Sequence, residues 1–126
     1  MEESILTSTK KILGLSPEYT AFDVDIITHI NSVFDILAQM GIGPANGLVI
    51  EDDQSEWSQF GQGPGMNMVR SYVYLKVRML FDPPPTSFAI NAMEEQIREY
   101  EWRLNTNREW LLNPNDPMAP EEVIVP

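Results

Sequence analysis

Cysteine is absent from this 126-residue chain, histidine occurs once, and lysine and arginine together number 8 against 19 aspartates and glutamates. Each shortage narrows the classes of function available. Without cysteine there is no disulfide framework and no thiolate metal site, and the chain suits a reducing compartment. The single histidine, His29, has no second histidine or cysteine with which to complete a nitrogen or sulfur metal centre. It falls at the edge of an apolar helical face, where a satisfied boundary histidine is expected. A net charge of −11 and a pI near 4.3 make the average surface repel phosphate, which argues against a sequence-reading nucleic-acid binder. Solubility alone accounts for such acidity. No apolar run reaches membrane-spanning length, and Met1-Glu2-Glu3 lacks the basic start of a secretory signal. The expectation is one soluble domain, made in the cytoplasm, with a modest core.

What is present is concentrated between Tyr72 and Leu104. An almost wholly apolar run ends at Asp82-Pro83-Pro84-Pro85-Thr86, and a charged amphipathic segment follows. Three prolines forbid continuous secondary structure, so two elements must fold back around one rigid corner. The second reads as a helix: Ala89, Ile90, Met93, Ile97, Tyr100 and Leu104 form one stripe, with Glu94/Arg98 and Glu99/Arg103 paired four apart outside it. The first, Val69 to Phe81, alternates like a strand, with Val73, Leu75, Val77 and Met79 on one side. Wound as a helix it is apolar nearly all round and requires cover on several faces. Helix is favoured, because a lone long strand lacks a pairing partner in this chain.

Earlier in the chain, a helix is predicted from about Ser4 to Leu13, with Ile5, Leu6, Ile12 and Leu13 inward and Gly14 ending it. A second helix opens at Thr20 and Asp23, which have capping-box spacing. Phe22, Ile26, Ile27, Ile30, Val33, Phe34, Leu37 and Met40 form its apolar face up to Gly41. Residues 41–65 are rich in glycine, proline and acid around Leu48-Val49-Ile50, a run expected to be extended or to form a short hairpin. The fold class is therefore all-α: a bundle of about four helices, with this loop between helices two and three. The expected division is a helical domain over 1–112 and an extended C-terminal arm over 113–126, where proline interrupts any regular helix.

A search for chemistry finds no completed site. Glu51, Asp52, Asp53 and Glu56 are the densest carboxylates, but they lack the alternating ligands and central glycine of an EF-hand loop and read as a solvated acidic turn. Gly61, Gly63 and Gly65 lack the Lys-Ser/Thr of a phosphate loop. No catalytic residue, metal ligand or cofactor is assigned, and the chain is not expected to be an enzyme.

Contacts with other chains are better indicated. Lys76 falls inside the apolar arc of Val69, Tyr72, Val73 and Leu80, either as a snorkelling or internally paired lysine or as a salt bridge to a neighbouring subunit. Trp102 lies opposite the inward stripe of its helix and so points outward, as interface aromatics do. Trp110, Leu111, Leu112, Val123, Ile124 and Val125 are too apolar for a free solvated end. The Gly61/Gly63/Gly65 loop is expected to be mobile or ordered by a neighbour.

Several spaced blocks together resemble the head-tail connector, or head-completion adaptor, family of long-tailed bacteriophages. The first is Ile5-Leu6-Thr7 with Lys10-Lys11-Ile12-Leu13-Gly14. Then come Phe22-Asp23-Val24-Asp25-Ile26, Ile30-Asn31-Ser32 and Met40-Gly41-Ile42-Gly43. Tyr74 to Pro84 and Glu101-Trp102-Arg103-Leu104-Asn105 complete the set, so the resemblance covers roughly residues 5–105. It implies an all-helical subunit, with helix at Val69 to Phe81. It further implies a homo-oligomeric ring, twelve-fold, beneath the portal protein, extending the DNA channel and meeting a downstream neck or tail-completion protein. DNA would pass without specific binding, since an acidic channel offers phosphate no adhesive surface. The alternative reading is a small acidic helical protein that binds and regulates one partner.

Overall fold

The computed structural model describes residues 4–112, with side chains described through residue 106. Five helices occur among the described residues: α1 (Ile5–Ile12), α2 (Asp23–Gln39), α3 (Trp57–Phe60), α4 (Met66–Phe81) and α5 (Ser87–Leu112). The all-α expectation holds, with the four-residue α3 added to the expected four.

Ser4 starts α1, its hydroxyl accepting from the Thr7 amide at 3.1 Å. Eight residues do not sustain a helix alone, and α1 persists because Ile5 and Leu6 are buried as it packs on α2. Its buried side also carries Ser8 and Thr9, whose hydroxyls donate to the Ile5 carbonyl, and Lys10. Ile12, expected inward, is half exposed. It shares a face with the buried Ile5, seven residues before it, but it is the last residue of α1, at the open end of that face. Gly14, with a φ of 83°, lets the chain leave the helix in a conformation other residues resist.

The expected side-chain cap at Thr20 and Asp23 is not formed. Phe22 occupies the cap position of α2 without a side-chain bond, and Asp23 is the first helical residue. Its carboxylate instead meets Lys10, with Nζ–Oδ1 at 2.8 Å, and the same ammonium donates to the Pro17 carbonyl at 3.1 Å. Position 23 still suits an acid, because the first turn carries the positive end of the helix dipole. Ile26, Ile30, Val33, Phe34 and Leu37 form the buried face of α2 as the periodicity predicts, whereas Phe22, expected on that face, is exposed and Ile27 and Met40 are half-buried.

No strand occurs among the described residues apart from one isolated antiparallel bridge between Ser4 and Glu56. The Leu48-Val49-Ile50 run is therefore not a hairpin. The Asn31 amide replaces the missing partner strand, donating to the Ile50 carbonyl at 3.0 Å and accepting from its N–H at 2.9 Å. Ile50 is thereby buried while Val49 faces solvent. Beyond it, Trp57 and Phe60 of α3 pack their rings on Phe34, at 6.0 and 4.9 Å between centroids. Gly43 must be glycine here: its φ is 102°, and a Cβ would come within 2.8 Å of the Phe60 ring.

Helix α4 is the central element, packed on both α2 and α5. Val69, Tyr72, Val73 and Val77 are fully buried along it, so the run that alternates like a strand is wound as a helix. The proline corner follows, and α5 returns with Ile97, Tyr100 and Leu104 buried against the bundle. Of the two predicted charge pairs on α5, Glu99 and Arg103 meet at 3.5 Å.

Candidate interaction surface

The seam between α4 and α5 carries the first candidate, Lys76. Its ammonium lies 3.8 Å from Glu101 Oε2, an ion pair within one chain. The same carboxylate oxygen accepts from the Tyr72 hydroxyl at 2.8 Å. Burial pushes the Tyr72 pKa upward, reinforced by the hydrogen bond to Glu101 and by its negative charge. The phenol therefore stays protonated and acts as a donor at any physiological pH. This three-residue link fixes the register of α5 on α4. Replacing Tyr72 with Phe removes a hydrogen bond to a charged group, worth about 1.5 kcal/mol, while Glu101, a third exposed, rehydrates. Chemical denaturation should show that loss with an unchanged m-value; no loss would mean the link is not stabilising.

Trp102 points outward as expected, 63 % exposed. On α4 and α5, sequence reasoning missed two further exposed apolar side chains, Phe88 at 84 % and Leu80 at 50 %. Phe88 and Trp102 lie about four turns apart on nearly one line of α5, roughly 21 Å along its axis. The signal was available in Phe88, which falls outside the Ile90/Met93/Ile97 stripe just as Trp102 does. The sequence places Leu80 in the apolar arc of α4; in the structure it sits in that helix's last turn and lines a cleft against α5. Large apolar groups held outward on rigid helices are suited to contact another protein.

Elsewhere the candidates resolve into local structure. Asp52 accepts from the Gln54 amide and Asp53 from the Gln54 side chain, at 2.9 and 2.8 Å. Glu56 forms a capping box with Gln59 at the start of α3. The acidic cluster thus builds a turn and a helix cap. Among the described residues no three His, Cys, Asp or Glu side chains group closely enough to hold a metal ion. Gly63 and Gly65 supply backbone acceptors that launch α4, through the Met66, Met68 and Val69 amides at 3.1–3.3 Å. Gly61 ends α3, its amide donating to the Trp57 carbonyl. The side chains of Trp110, Leu111 and Leu112, and all of Val123, Ile124 and Val125, lie outside the described residues. His29 is half-buried, with its ring 6.4 Å from that of Phe81.

The described residues form an all-α bundle that holds Trp102, Phe88 and Leu80 outward, side chains suited to contact with another protein. The chain matches the family model described as phage connector protein over residues 5–110, and it belongs to that family. It is a structural connector of the bacteriophage particle, where it meets other virion components. No curated protein and no solved structure matches the chain. No described helix is long and apolar enough to cross a membrane.

Proposed function

We propose that copies of this chain close into a ring, twelve-fold, beneath the portal protein of the filled head, extending the DNA channel and offering the next neck or tail-completion protein its docking surface. The observation that carries this reading is the family match over residues 5–110 on a bundle that leaves Trp102, Phe88 and Leu80 outward. A closed ring needs contacts between two different faces of the same molecule. Apolar side chains on α4 and α5 supply material for one of them. Residues 1–112 are the ring body and residues 113–126 an arm reaching a neighbour, with Lys76, Trp102, Trp110, Leu111, Leu112, Val123, Ile124 and Val125 at contacts. The Gly61/Gly63/Gly65 loop touches the adjoining protein. The role is structural rather than enzymatic, and assembly takes place in the host cytoplasm before the connector joins the particle.

Sizing the chain alone and with portal protein tests this reading. A multi-copy ring in the presence of portal is expected, whereas a fixed complex of one or two copies would mark a regulator of a single partner. The acidity makes a second prediction. With a net charge of −11 per subunit, a ring surrounds DNA with like charge, so phosphates slide past without adhesion. Mobility-shift titration at low salt, where electrostatic attraction is greatest, should find no tight complex with random duplex. Submicromolar binding would contradict the channel role.

A further inference from the structure

Between α4 and α5 lies a cleft of about 350 Å³ lined by Lys76, Met79, Leu80, Glu94, Ile97, Arg98 and Glu101. That volume is at the low end of the roughly 300–1,000 Å³ typical of specific sites. Met79, Leu80 and Ile97 give it apolar surface. Four charges rim it, and they are not equivalent. Glu101 is engaged by Tyr72 and Lys76, and Arg98 makes no ion pair among the described residues, although Glu94 lies four residues before it. An exposed guanidinium beside apolar surface fits a segment with aliphatic residues next to an acid.

The chain itself contains such a segment. Glu121-Glu122-Val123-Ile124-Val125 lies beyond α5, and Pro114, Pro117 and Pro120 precede it at intervals of three. That spacing matches the three-residue turn of polyproline II, a stiff extended form rising about 3.1 Å per residue. The twelve residues from Leu112 to Ile124 span at most about 37 Å in that form. The cleft of the same subunit lies roughly 22 Å back along the α5 axis, from Leu112 to Ile97. Reaching it within one chain requires a full reversal, which a stiff tail resists.

Building on the ring reading above, we propose that the α4–α5 cleft is the receptor for the tail of the adjacent copy, with Val123-Ile124-Val125 on Met79, Leu80 and Ile97 and the Glu121-Glu122 pair at Arg98. The prolines lower the entropy lost when the tail is fixed. Repetition around a ring then holds each subunit by its neighbours.

The absence of cysteine gives a direct test. Leu80 is half exposed, so Leu80→Cys is tolerated without a cavity, and Ile124→Cys lies in the tail. Equal amounts of the two full-length single variants are mixed with portal protein, oxidised and separated without reductant. The expected product is a covalent heterodimer, because seated residues approach within disulfide reach. Its yield should exceed by about tenfold that obtained when Phe88→Cys, outside the cleft, replaces Leu80→Cys, since a docked tail works at millimolar effective concentration. The double variant should give a ladder of covalent multimers. Cross-linking confined to single chains, or a yield equal to the Phe88→Cys control, would overturn the proposal. Sizing the unoxidised mixture separates the two claims. A ring without the cross-link removes the receptor cleft and keeps the ring, whereas a cross-link in a low-order complex keeps the cleft and removes the ring.

Discussion

Replacing Val77 with Asp lowers the melting temperature by on the order of 10–20 °C, the counterpart of about 3–5 kcal/mol in a domain of this size. Val77 is fully buried on α4, the helix that packs against both α2 and α5. A carboxylate there has neither solvent nor a cation to receive it, and removing it from water costs more than the lost aliphatic contact. Typical domains have only about 5–15 kcal/mol of stability in total, so much of the variant would be unfolded at growth temperature. Circular dichroism melts of the two proteins make the comparison. An unchanged midpoint would mean that α4 is not the core helix.

The second large effect is expected at the ion pair that joins α1 to α2. Lys10 is 3 % exposed in its side chain and Asp23 24 %, and this difference decides the outcome. Asp23→Ala leaves a buried ammonium with only the Pro17 carbonyl, and breaking a buried pair in this way costs about 3 kcal/mol or more. Lys10→Met removes the buried charge altogether and leaves a carboxylate that water can reach, so its cost is smaller by about 1–2 kcal/mol. Urea unfolding of both variants should place Asp23→Ala below Lys10→Met in midpoint. The reverse order would show that the pair is solvated and of little consequence.

These residues show how far the sequence could be read. The α5 stripe was legible because helical periodicity on a one-sided element is a strong signal. Helix α4 was legible only indirectly, since burial on several sides erases the polar face that defines a helix; the lack of a strand partner decided it. The Lys10–Asp23 pair left no local trace, because its members sit on different helices and meet only when the Gly14–Phe22 segment folds. The same holds for the Asn31 amide clamping Ile50 and for Trp57, whose indole N–H donates to Ser8 at 2.9 Å. Helix α3 is four residues long, too short for any period to show. At the surface, Trp102 was found from its angle on α5, whereas Leu80 was misplaced because periodicity does not reveal how closely a neighbouring helix packs over the last turn. Family membership, carried by spaced blocks, reached further than any single motif.

The proposed closed ring in the neck of the particle has a distinct appearance along its axis. Electron images of purified necks, averaged down the axis, test it most directly. The expected result is a twelve-fold ring of this chain between the portal and the tail, enclosing an open channel on the axis. Density for one or two copies bound to the side of a single partner, with the channel wall built by other proteins, would contradict it.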